Sequence, residues 1–346
     1  MDFNDTPEEA EFRATVRSWL DENAELRGPD DAPGAALGER IDDETLAACK
    51  AWQKRKSDAG WACLRWPKKY GGREATPIQS VIWGQEEKRY KTPPDIFGIG
   101  IGMAGPTLMA HATEKQKLEW LPKMASGEEI WCQLFSEPGA GSDLAGLRTS
   151  AVRDGDDWIV NGQKIWTTGA QFCDWGILVT RTDPSLPKHK GLTYFVVDMK
   201  SPGIEVRPIT QINGGQGFNE VFFSDVRIPD ENRLEDVGAG WRVALTTLMN
   251  ERASIGAGSG GGGGIGDLLA LRRRWKSRAR GSCRAGTHRR FLRHVQGAAV
   301  HRRTHAERAF PGQDARPRGQ SRQVGRRRVD SRDGGIRHGA AGNRRR

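Results

Sequence analysis

The chain has 346 residues, 36% of them hydrophobic, with twelve tryptophans and a mean hydropathy of −0.66. That is enough for two or three domains around a buried core, and no run of eighteen apolar residues offers a membrane-spanning helix. The net charge of +10 hides a division, because residues 265–346 hold 23 Arg and one Lys against five acidic residues, a net +19, which leaves −9 on the first 264.

The acidic start MDFNDTPEEAEF has no apolar leader segment, and the five cysteines are scattered without a CxxC pair. Both point to a reducing, cytoplasmic setting with neither a disulfide framework nor a metal site. Thr6-Pro7-Glu8-Glu9 reads as an N-cap, a first-turn proline and a capping-box glutamate. Phe12, Val16, Trp19 and Leu20 follow at helical spacing. Residues 28–38 are rich in Gly, Pro and Asp and predict a loop. Further helices are expected over 43–57, ended by Gly60, and over 77–91 and 113–126, the last stopping near Gly127.

Near residue 130 the period changes from 3.6 to 2. Trp158-Ile159-Val160 and Lys164-Ile165-Trp166 flank Asn161-Gly162, a pairing that predicts a hairpin turned at Asn-Gly. Strands are expected over 176–180, 192–199, 204–209 and 220–228. The helical period returns at Gly240, with Trp241, Leu245, Leu248 and Arg252 expected near one face. It dissolves in the glycine run 256–264. Beyond Leu271 the chain is too poor in Ile, Leu, Val and Phe to offset ordering entropy, so a disordered basic tail is expected.

Two segments carry chemistry. In Trp131-Cys132-Gln133-Leu134-Phe135-Ser136-Glu137-Pro138-Gly139-Ala140-Gly141-Ser142-Asp143, two glycines beside serine make a tight loop whose backbone N–H groups can approach an anionic or carbonyl-rich ligand. Taken alone, the same residues also suit an ordinary surface turn. In Lys164-Ile165-Trp166-Thr167-Thr168-Gly169-Ala170, strand alternation gives Trp166 and Thr168 one facing, an indole beside a hydroxyl that can hold a planar heteroaromatic ring. A core tryptophan beside a surface threonine is the plainer alternative.

Together and in order, the SEPGAGSD segment and the KIWTTGA strand resemble the acyl-CoA dehydrogenase family. The likeness extends from Pro106–Gly127 upstream, through Arg227-Ile228-Pro229, to Glu251-Arg252, about residues 1–265. It implies an α+β fold with an N-terminal helical domain (1–130), a middle β domain bearing the flavin face (131–238), and the start of a truncated C-terminal helical domain (239–270). Residues 271–346 form a tail foreign to the family. The implied cofactor is FAD and the implied reaction is α,β-dehydrogenation of an acyl-CoA, with an electron-transferring flavoprotein as acceptor.

By the same resemblance Gln133, Leu134, Phe135 and Ser136 would line the flavin ring and its pyrimidine edge. Gly141 and Ser142 would meet the cofactor's phosphates or the pantetheine of the substrate. Trp166, Thr167 and Thr168 would bind the ring, with Trp166 over it and Thr168 near its hydride-accepting nitrogen. Both segments should then converge on one isoalloxazine. Glu251 occupies the position of the carboxylate base in the isovaleryl and long-chain types, and Arg252 matches the substrate-side arginine. Met249 stands where several relatives carry aspartate. A carboxylate in an apolar pocket titrates high and suits proton transfer near neutrality; a solvated helix glutamate is the plainer alternative at position 251.

The tail lacks the family's Arg-x-x-Phe-Gly and Gln-x-x-Gly-Gly motifs, and its Arg, Gly, Ala, His and Gln are what an out-of-frame reading of a GC-rich gene yields. A frameshift near Leu271 is expected, with loss of the helices that build the family's oligomer and impaired activity. Its arginines would bind polyanions without specificity; no specific nucleic acid and no membrane partner is expected. Two other functions fit the same residues: a flavin oxidase or monooxygenase of this fold, and a non-catalytic subunit or polyanion-binding remnant.

Overall fold

The computed structural model describes residues 5–28, 31 and 41–256, all within one compact unit, with side chains as far as residue 253. The expectations for the 28–38 loop fall mostly outside these residues. Those for the 256–264 glycine run, the frameshift and the basic tail fall outside almost wholly.

Helix α1 (Pro7–Asn23) starts on the expected box: Glu9 N–H donates to Thr6 Oγ1 at 3.2 Å and Thr6 N–H to the Glu9 carboxylate at 3.1 Å. Strand β1 (Glu25–Leu26) pairs antiparallel with β2 (Tyr90–Lys91), two short ribbons with no clear sequence signal. Between them lie α2 (Asp43–Asp58) and α3 (Pro77–Glu87), and the Thr76 cap of α3 repeats the box with Gln79. Then a π-type turn over Gly100–Ala104 runs into α4 (Gly105–His111), followed by α5 (Glu114–Ser126), which Gly127 ends with φ 76°.

Val16, Leu20, Trp52, Trp61, Trp83 and Tyr90 form the core of this helical part. Glu86 is buried among Arg13, Arg17 and Arg89, whose guanidinium nitrogens lie 2.7, 2.7 and 2.6 Å from its oxygens. Burial pushes the Glu86 carboxyl up, but the three arginines outweigh it and hold it down at about 2.

The β part holds β3 (Trp131–Leu134), β4 (Ser150–Asp154), β5 (Asp157–Thr168), β6 (Trp175–Arg181), β7 (Leu192–Asp198), β8 (Ile204–Ile209), β9 (Phe218–Pro229) and β10 (Arg233–Leu234). They form one sheet in the order β10-β7-β6-β4-β5-β9-β8, with β3 parallel to β6 off that path. One face packs with Trp66 from the segment between α2 and α3 and with Leu108, Trp120, Val243 and Ala244 from the helices; the other encloses Leu134, Val160, Leu178, Phe195 and Val221.

The expected hairpin at Asn161-Gly162 is not there. These residues lie inside the single long strand β5, and the turn that joins β4 to β5 is at Gly155-Asp156. Asn-Gly marks a register shift against β9 instead. Asn161 Nδ2 donates to Asp225 Oδ1 and Asp225 N–H to Asn161 Oδ1, both at 2.9 Å. A Cβ on Gly162, at φ 152°, would stand 2.5 Å from Thr149 Oγ1. The composition suits a bulge as well as a turn, and the partner strand decides between them.

Helix α6 (Gly240–Gly256) closes the described chain. A Cβ on Gly240 would approach the Thr193 backbone to 2.6 Å, so the helix starts hard against β7. That start sets its rotation. Val243, Ala244 and Thr247 are buried, Trp241 and Leu248 pack beside them, and Leu245, Met249 and Arg252 are exposed. Of the four residues expected near one face, Trp241 and Leu248 are thus partly buried, whereas Leu245 and Arg252 are exposed. A line of buried hydroxyls fixes the helix further: Thr247 Oγ1 lies 2.9 Å from both Thr107 Oγ1 and Tyr194 Oη.

Candidate active site

The two chemistry-bearing segments meet. Ile165 N–H donates to the Ser136 carbonyl at 2.9 Å, and Lys164 Nζ donates to the Phe135 carbonyl at 3.0 Å. Lys164 is fully buried and also donates to Glu137 Oε1 at 2.9 Å. Glu137 in turn accepts from the Arg148 and Thr149 N–H groups at 2.6 and 2.9 Å. Burial pushes the Lys164 ammonium down to about 8 although the Glu137 carboxylate pulls it up. Burial pushes the Glu137 carboxyl up, but Lys164, Thr149 and the Arg148 N–H hold it below its ordinary range. The pair was not foreseen from the sequence, although a lysine among the inward-facing positions of a β-strand was a signal for it.

Beyond this bolt, Glu137 and Ala140 close a tight turn through reciprocal backbone hydrogen bonds of 2.9 and 3.0 Å. A Cβ at Gly139 or Gly141 would meet nothing within 4 Å. The protein's own packing therefore does not call for glycine here, and the open space leaves room for a ligand to approach the backbone. Gly141 and Ser142 are exposed, and Asp143 beside them accepts from Lys188 Nζ with both oxygens at 2.8 Å.

Leu134 and Phe135 are core residues, Phe135 edge-on to Tyr194 with ring centroids 5.9 Å apart, so their backbones rather than their side chains can face a ligand. Trp166 sits in a bulge of β5 against β9 with φ 63°, its indole 57% exposed and edge-on to Phe218. A left-handed tryptophan costs about 1–3 kcal/mol and is retained where the surroundings or a ligand over-determine it. Thr167 is buried, and its Oγ1 has no hydrogen-bond partner among the described residues; Thr168 is half-buried at the strand end.

Glu251 reaches this region from α6: Gln133 Nε2 donates to Glu251 Oε2 at 3.1 Å. Gln133 Oε1 is a second enclosed polar atom without a partner among the described residues. Arg252 and Met249 are exposed at the end of the same helix. An exposed indole, two enclosed polar atoms without partners, open space over two exposed glycines, and a carboxylate without a cation among its described contacts lie in this region.

The description "acyl-CoA dehydrogenase, N-terminal domain" matches residues 6–128, and "acyl-CoA dehydrogenase, middle domain" matches residues 132–226. The chain belongs to the acyl-CoA dehydrogenase family. It is 42% identical over 242 residues to the acyl-CoA dehydrogenase IpdE1 of Mycobacterium tuberculosis, covering 70% of this chain and 62% of that protein. To FadE34 of the same organism it is 43% identical over 258 residues, 75% of this chain and 36% of the relative. The chain thus spans under two thirds of the length of these two curated relatives.

Among solved structures it is similar to a Tcur3481-Tcur3483 steroid ACAD, with a TM-score of 0.63 and 32% identity over 74% of this chain and 65% of that one. It is also similar to the ChsE4-ChsE5 complex of Mycobacterium tuberculosis, with a TM-score of 0.61 and 31% identity over 83% and 69%. The family's N-terminal helices and middle β domain are therefore the fold, and no described helix is long and apolar enough to cross a membrane.

Proposed function

We propose that this chain binds FAD and carries the α,β-dehydrogenation of an acyl-CoA thioester. The observation that carries the reading is the hydrogen-bonded junction of Phe135–Glu137 with Lys164–Ile165, which brings both cofactor segments together. The residues fit a planar, polar-edged group. Gln133 Oε1 and Thr167 Oγ1 are enclosed acceptors still open to a donor, Thr167 and Thr168 offer hydroxyls, and Trp166 offers an exposed aromatic face. Gly141 and Ser142, on the turn after β3, would take the cofactor's phosphates or the substrate's pantetheine arm.

The bound flavin would supply the hydride acceptor. This chain would supply alignment and the base. Glu251 would take the proton from the carbon beside the thioester carbonyl, and its freedom from a neutralising cation among the described residues suits that task. Arg252, one residue on, would meet the substrate. Trp166 and the enclosed backbone of Leu134 and Phe135 would exclude water from the reacting face. Electrons would leave through an electron-transferring flavoprotein. Association with a second subunit is in keeping with the similarity to the ChsE4-ChsE5 complex.

The test adds FAD to the purified full chain and follows the flavin absorbance bands anaerobically during addition of straight-chain, branched, aromatic and steroid side-chain acyl-CoA thioesters. Uptake of flavin followed by bleaching with one of them is the expected result. A chain that takes up no FAD would end the reading, and rapid reoxidation of the bleached flavin by air would replace dehydrogenase with oxidase.

A further inference from the structure

The Gln133 amide stands between β3 and the far end of α6. Its Nε2 donates to Glu251 Oε2 at 3.1 Å, and its Oε1 is enclosed with no donor among the described residues. The orientation is set by this contact, because reversing the amide would put its oxygen against a carboxylate oxygen. The contact to Glu251 therefore leaves Oε1 without a donor among the described residues, and an enclosed acceptor without a donor is unfavourable until a ligand brings one. A glutamine held at one end can swing about its last torsion; held at both ends it cannot.

We propose that Gln133 is a positioning residue that couples base to cofactor: Nε2 aims the Glu251 carboxylate, and Oε1 accepts from a ring N–H of the bound flavin. The inference rests on the FAD-dependent reading above. The base is fully aligned only once the flavin is seated, so the chemistry is armed by the cofactor that receives the hydride.

Four variants of the full chain test it: Gln133→Met, which loses donor and acceptor; Gln133→Glu, which keeps an acceptor; Glu251→Leu; and Gln133→Met with Glu251→Leu. Without flavin, urea unfolding midpoints are expected to be non-additive, the double variant losing less than the two single losses together. Strict additivity would mean that the two side chains do not interact, and the inference fails.

In FAD titrations followed by flavin fluorescence, Gln133→Met is expected to weaken binding about tenfold, as for one lost hydrogen bond. Gln133→Glu and Glu251→Leu should stay within about twofold. An unchanged Kd in Gln133→Met overturns the cofactor contact. With an acyl-CoA that reduces the wild type, both Gln133 variants should lower kcat about thirtyfold with KM nearly constant. Gln133→Met should cost nothing more once Glu251 is Leu. A wild type that takes up no flavin sinks the parent reading and the flavin contact with it, while the unfolding cycle still decides the contact to Glu251.

Discussion

Glu137 and Glu251 approach the same short strand from opposite directions, and their surroundings differ in kind. Glu137 follows β3, is buried, and is held by a fully buried lysine and two backbone donors. Glu251 comes from α6, is half-buried, and has one amide donor and no cation among its described contacts. A carboxylate held by a buried lysine and two backbone donors works as a fastener. One with a single neutral donor is left with oxygens that a substrate can reach. On the proposed reading the difference separates structure from chemistry within a few residues of Gln133.

The sharpest way to break that contrast is Glu251→Gln. On the proposed reading kcat falls about 10²–10⁴-fold, while the unfolding free energy stays within about 0.5 kcal/mol of wild type; an equal loss of stability would make Glu251 a second fastener. Lys164→Met should do the reverse, destabilising by about 3–5 kcal/mol in urea unfolding because it strands a buried carboxylate. Adding Glu137→Gln should recover part of that loss.

Glu86 extends the series, with three arginines around one carboxylate. Its folded value of about 2 lies below the ordinary range near 4.3, so its contribution is present above that range and is lost as pH falls towards 2. Acid unfolding should steepen in this window, and Glu86→Gln should flatten it. The smallest effect is expected at Gly141→Ala. The new methyl meets no protein atom, so thermal unfolding should not move, while flavin affinity drops several-fold if a ligand occupies the gap.

Much of this was legible along the chain because it is local. Thr6 and Glu9 close the first helix by a short-range exchange of hydrogen bonds, and alternation marked β6 to β9 within one or two residues at most ends. Asn161-Gly162 misled for a physical reason. The same pair serves a turn or a bulge, and Asp225, 64 residues away, decides which. The rotation of α6 was likewise set at a distance, where Gly240 meets Thr193.

By itself the sequence determined the starts of the capped helices, the stretches that became β6 to β9, and the charge boundary near residue 265, since each depends on neighbours in the chain. Only the tertiary structure decided that Lys164 fastens Glu137, that the Gln133 amide reaches Glu251, and that Trp166 turns outward at a bulge. Those outcomes depend on atoms brought together across 27 to 118 residues of chain, and no local pattern encodes such distances.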